Sequence, residues 1–248
     1  MHIPAIAAIL LVSATVATAQ DSLPWSYQGK TGPLVWDHLD PAYHACGHGH
    51  QQSPVDLRGA HLDTGLAPIR FHFVAGEVTV VNDGRGITVR MDPGSSIEVG
   101  GVRYNLIDFT FHHPSEHAIH GQLADMEVDF LAHSAGGKMA QFAVLFNVAM
   151  GYPNATVAAL WEHLPTKAGA TERITDMIDP GGLFPQDTGY WTYTGSLLVP
   201  PCTEDVAWYV FETPLTVSRE QIRAFTSLFK MNTRPLEDLH GRRIEASE

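Results

Sequence analysis

Cysteine is scarce, positive charge is in deficit, and repeats and linkers are missing. The 248-residue chain has two cysteines, and its 15 Lys and Arg face 27 Asp and Glu, for a formal net charge of -12. A surface this poor in cations excludes binding led by phosphate neutralisation, so nucleic acid and anionic membranes are poor partners. No Pro/Ser-rich linker, internal repeat or low-complexity tract divides the chain, which points to one large domain. The N-terminal apolar run, Ile3 to Val16, falls short of the ~18 to 20 residues that span a bilayer. It contains no Lys or Arg and leads into Ala17-Thr18-Ala19, a small-x-small pattern that signal peptidase cuts. We therefore expect a signal peptide over residues 1–19 and a mature domain over 20–248. That domain would be periplasmic or secreted, with no membrane insertion after cleavage.

Export bears on the cysteines. In an oxidising compartment, Cys46 and Cys202 are most simply a disulfide, the alternative being two buried free thiols. A bridge would close a loop of about 155 residues, for which lost unfolded-state entropy gives up to about 5 kcal/mol.

Alternation of apolar and polar residues, broken by Asx and Gly turns, predicts an antiparallel sheet. The strands read as Glu77–Val81, Gly86–Met91, Ser96–Val99, Tyr104–His113, Met126–His133 and Ala140–Val148. Helical periodicity is confined to Thr156–His163 and Ser218–Phe229, where Ser218 and Gln221 have capping-box spacing. Side chains of a strand alternate between faces. Tyr104–His113 then puts Ile107, Phe109, Phe111 and His113 on one side, and Asp108, Thr110 and His112 on the other. Met126–His133 likewise separates Met126, Val128, Phe130 and Ala132 from Glu127, Asp129, Leu131 and His133. Two neighbouring strands would share a polar face, a suitable floor for a site.

The stretch Phe109-Thr110-Phe111-His112-His113-Pro114-Ser115-Glu116, followed by Met126-Glu127-Val128-Asp129-Phe130, resembles the central strands of bacterial α-carbonic anhydrases. Trp25-Ser26-Tyr27, Gln52-Ser53-Pro54-Val55, Tyr193 to Leu197, Pro200 to Glu204 and Asn232 to Leu236 resemble that family too, in the same order. The resemblance implies a mostly β, single-domain fold with a ten-stranded, largely antiparallel twisted sheet and peripheral helices. It also implies the Cys46–Cys202 disulfide and a cis bond within the Pro200-Pro201 turn.

In that family three histidines hold Zn²⁺, whose bound water ionises near neutral pH and attacks CO₂. The three ligand positions carry Thr110, His112 and Asp129 here, a degenerate set. The hydroxide-orienting threonine is Leu198 and the next threonine is Val199; the proton-shuttle histidine is Arg85, a guanidinium that stays protonated. The supporting carboxylates Glu116 and Glu127 remain. If buried together, Glu127 and Asp129 would raise the pKa of one of the pair or recruit a cation.

These replacements imply that no cofactor is held firmly, since His112, Asp129 and waters would bind zinc only weakly. The reading they favour is a scaffold for a protein or small-molecule ligand, with the apolar Leu131, Leu198 and Val199 at the cavity. The alternative is a divergent lyase hydrating CO₂ through a rebuilt metal site. A third reading assigns metal capture to His44, His48 and His50, among 14 histidines in all, against hydrogen-bonded or solvated loop histidines.

Overall fold

The computed structural model describes residues 25–247, so the expected leader over residues 1–19 lies outside the described residues. Ten strands form one continuous path. In chain order they are β1 (His61–Leu62), β2 (Gly76–Asn82), β3 (Ile87–Met91), β4 (Val102–His112), β5 (Met126–Ser134), β6 (Met139–Val148), β7 (Thr171–Ile178), β8 (Tyr190–Gly195), β9 (Val206–Phe211) and β10 (Glu245–Ala246). Their spatial order is β7-β2-β3-β4-β5-β6-β9-β8-β10-β1. Only the β6–β9 and β10–β1 pairs are parallel. Three short strands attached to this path bring the sheet to 13, which enlarges the expected ten-stranded sheet without altering its central order.

Among the described residues the α-helices are few, namely α1 (Trp36–Leu39), α2 (Ala45–His48), α3 (Ala155–Trp161) and α4 (Arg219–Leu228). The expected capping box starts α4, where the Ser218 side chain accepts from Gln221 N–H and the Gln221 side chain accepts from Ser218 N–H. Two otherwise orphaned helix-end donors are thereby satisfied.

Register explains the two-faced centre of the sheet. Phe109 of β4, Phe130 of β5 and Phe142 of β6 are cross-strand neighbours, all fully buried in the largest apolar cluster. Burial of each such ring contributes roughly 1.5 to 3 kcal/mol. The residues between them point to the opposite face, where Thr88, Thr110, Asp129 and Ala143 form one cross-strand row. Arg90, Asp108, Leu131 and Gln141 form the next.

One expected face assignment fails. Asp108 pairs with Leu131 but Leu106 pairs with Ala132, leaving Ile107 without a partner. This β-bulge shifts the alternation by one residue. Tyr104 and Leu106 are therefore buried with Phe109 and Phe111, while Ile107 is exposed. His113 lies just beyond β4 rather than inside it.

The Cys46–Cys202 bridge is formed, with Cα atoms 5.1 Å apart and a sequence separation of 156. It ties α2 to the loop after β8 within a cluster that includes Tyr27, Trp36 and Tyr43. The Pro200-Pro201 bond is cis, as the resemblance implies.

Candidate functional site

The polar face of β3 to β6 is the floor of a cavity of about 240 Å³. Thr110, His112 and Asp129 stand on that floor, with Leu131, Leu198 and Val199 on its walls and Arg85 at its edge. The sequence reading thus brings these residues to one place. The cavity remains open even though Leu198 is buried in the apolar cluster around Trp208.

His112 is nearly inaccessible, and its Nδ1 donates to the Asn232 carbonyl over 2.9 Å. The same nitrogen lies 3.0 Å from Glu116 Oε1. Nε2 is directed towards Asp129, 3.5 Å from its Oδ2. Burial opposes the charged form of His112, but the Glu116 carboxylate outweighs it and raises the imidazole pKa. Thr110 is engaged elsewhere, its hydroxyl 2.9 Å from that of Thr88.

The two supporting carboxylates are engaged within the protein. Glu116 Oε2 accepts from Arg234 N–H over 2.9 Å, and the resemblance implies a threonine hydroxyl at position 198 as a further partner. Leu198 offers none. Burial raises the Glu116 pKa, partly offset by His112.

Glu127 accepts from His117 N–H over 2.8 Å and lies 2.6 Å from His117 Nδ1. Burial works against its ionisation, but His117 outweighs this and holds its pKa below the ordinary value. His117 Nε2 in turn lies 2.8 Å from the Tyr193 hydroxyl, which donates to Ser53. The role of His117 escapes sequence analysis, because it lies outside any strand and only the fold brings it to Glu127.

Glu127 and Asp129 are buried together, as expected, and the pKa of one of the pair is raised. Burial drives the Asp129 carboxyl well above the usual carboxylate range, and the Glu127 charge adds to this. Both Asp129 oxygens lack a hydrogen-bond partner. Because the folded pKa lies above the unfolded value of ~3.9, Asp129 favours folding fully only below ~pH 4, and that contribution is lost as pH rises through the folded pKa. Asp129→Asn is isosteric and cannot ionise. In urea unfolding it should match wild type at about pH 4 and exceed it by about 1 to 3 kcal/mol at about pH 7. A constant difference at both pH values would contradict this origin.

The remaining histidines are scattered. His133 pairs with Asn105 beyond the bulge and does not line the cavity. His44 and His48 stack with ring centres 4.3 Å apart, His48 Nε2 lies 3.3 Å from Asp37, and His50 packs edge-on against His240. Among the described residues, no three His, Cys, Asp or Glu side chains converge with metal-binding geometry.

The model for eukaryotic-type carbonic anhydrases matches residues 31–248. The chain belongs to the carbonic anhydrase family. It is 33% identical to a carbonic anhydrase of Pectobacterium carotovorum over 96% of both chains. The α-carbonic anhydrase of Thermovibrio ammonificans, solved with the inhibitor sulfanilamide, superposes with a TM-score of 0.86 at 34% identity, covering 91% of this chain and 99% of that one. Dioscorin complexed with ascorbate superposes with a TM-score of 0.84 at 28% identity, covering 90% and 97%.

Family membership raises the question of zinc, and the donor set does not fit it. The 3.5 Å from His112 Nε2 to Asp129 Oδ2 would let both reach one ion. They are nevertheless two protein donors where a catalytic zinc takes three. Thr110, at the third position, is a neutral hydroxyl engaged with Thr88. The wall above the floor is aliphatic at Leu198, and Arg85 is held by Asp83 at 3.0 Å.

Proposed function

We propose that this protein is an exported member of the carbonic anhydrase family that binds a small ligand in its central cavity and does not hydrate CO₂ through zinc. One observation carries the reading: the cavity is open while the three positions that hold zinc in the family offer two metal donors, His112 and Asp129. Zinc hydroxide chemistry needs a filled ligand set, an acceptor that orients the hydroxide and a group that takes the proton away. Thr110, Leu198 and Arg85 supply none of these. Their side chains instead leave a small pocket with aliphatic walls and a polar floor, the usual make-up of a ligand site. That dioscorin, of the same fold, is complexed with ascorbate supports a ligand-binding use of this architecture. The export component rests on the Ile3–Val16 run and the Ala17-Thr18-Ala19 motif.

The test is stopped-flow CO₂ hydration by mature protein supplied with excess zinc, beside a family member with all three histidines. Rates indistinguishable from buffer are expected. Hydration that is zinc-dependent and abolished by His112→Ala would establish the lyase reading instead.

A further inference from the structure

The cavity floor presents hydrogen-bond acceptors that nothing in the protein satisfies. Asp129 Oδ1 and Oδ2 and Gln141 Oε1 are buried without a partner, although their side chains sit on the cavity lining. Asp129 is 4% exposed and Gln141 8%, so neither is a surface group that solvent satisfies freely. An unmet buried acceptor costs about 1 to 3 kcal/mol, which is a reason to look for its donor.

The two side chains stand on the same face. Asp129 pairs across β5 and β6 with Ala143, two residues from Gln141, a diagonal relation that places Cα atoms about 7 to 8 Å apart. One small group can touch both.

Charge on the lining has the same sense. The lining carries the carboxyl groups of Asp83, Asp108 and Asp129 and one guanidinium, Arg85. That guanidinium is already occupied by Asp83 at 3.0 Å and lies 4.0 Å from the Trp25 ring centre. An anionic guest would meet a carboxyl at the floor. A hydroxyl would bring one donor together with lone pairs facing acceptors. A primary ammonium brings three N–H donors and no acceptor, with the charge this lining lacks. Leu131, beside Gln141 in one cross-strand row, joins Leu197 and Leu198 in giving the lining apolar surface, and Trp25 and Tyr27 supply aromatic surface. The volume of about 240 Å³ is below the ~300 Å³ at which pockets for drug-sized molecules begin.

We propose that the cavity binds a small primary organic ammonium, its –NH₃⁺ group held by Asp129 and Gln141 and its apolar body resting on Leu131, Leu197 and Leu198. This rests on the reading of the cavity as a ligand site and specifies the guest.

The experiment is calorimetric titration of chelator-treated mature protein with benzylammonium, benzyl alcohol and benzoate, three probes of one shape and different donor character. Benzylammonium should bind saturably with Kd of about 1 mM or tighter. The alcohol and the benzoate should bind at least about tenfold more weakly, the value of a charge-assisted hydrogen bond. Gln141→Leu and Asp129→Asn should each weaken benzylammonium by about tenfold or more while retaining cooperative thermal unfolding. Equal or tighter binding of benzyl alcohol or benzoate would overturn the ammonium assignment and leave the ligand-site reading intact. Binding of no probe would overturn the assignment, and water would then be the donor to Asp129 and Gln141. Zinc-dependent hydration in the same sample would overturn the reading beneath it.

Discussion

Replacing Thr110 and Asp129 together by histidine should turn the cavity into a zinc site, with about one zinc per chain where wild type holds well under one. The positions are right for it. Thr110 and His112 are alternate residues of β4 on one face, and Asp129 of β5 is the direct cross-strand partner of Thr110. His112 already has the backbone acceptor, Asn232, that fixes a ligand imidazole in one tautomer. A four-ligand zinc site is worth roughly 10 to 16 kcal/mol, so the one donor added at position 110, beside the exchange of Asp129 for an imidazole, should tighten zinc by roughly 10²- to 10³-fold if each ligand contributes its share. Competition with a chromogenic chelator would measure the change. Hydration should stay low in this double variant, because Leu198 cannot orient a hydroxide and Arg85 cannot relay a proton. Adding Leu198→Thr should raise it. A double variant that folds but gains no zinc would mean that the floor geometry, and not the donor set, excludes the metal.

Removal of the disulfide should be the most destabilising change outside the core. Cys46→Ser with Cys202→Ser frees a loop of 156 residues in the unfolded state, and the chain-entropy model puts the loss near 5 kcal/mol as an upper figure. Stability of a whole domain is about 5 to 15 kcal/mol, so the variant should unfold at much lower denaturant. The effect should also reach the cavity. Cys46 and Cys202 pack in the cluster that holds Trp25 and Val199, and both of the latter line the cavity. Guanidinium unfolding of the oxidised, reduced and double-serine proteins would test this, with the last two expected to coincide. A double-serine protein as stable as the oxidised one would show that the bridge adds nothing beyond packing.

Much of the cavity was legible in the sequence because strand geometry has a period of two. Knowing that Thr110, His112, Glu127 and Asp129 fall on one face needed only alternation, and the register bears it out. The aliphatic walls at Leu131 and Leu198 followed from identity alone. What escaped depends on shape and on contacts between distant segments.

Strict alternation through the whole of β4 puts Ile107 on the core face, and the bulge moves it off. The correcting signal was present, since Tyr104 and Leu106 occupy even positions and Phe109 and Phe111 odd ones, a change of phase that a bulge must absorb. Gln141 is the one polar side chain from Met139 to Phe146 and could have been marked on that ground. His117 could not. Its partners Glu127 and Tyr193, and Ser53 beyond Tyr193, come from three separate segments, and a histidine in a loop has no sequence pattern that reports complete burial. Cavity volume was equally hidden. Leu198 both packs against the Trp208 cluster and walls an open space, and only the placed side chains distinguish filling from lining.

The most direct test of the whole reading is zinc per chain, measured by elemental mass spectrometry on mature wild-type protein purified without chelator. A content well under one equivalent, unchanged by His112→Ala, is the predicted result. One firmly held zinc per chain that disappears in His112→Ala would contradict it, and would mean that His112 and Asp129 have acquired a third donor.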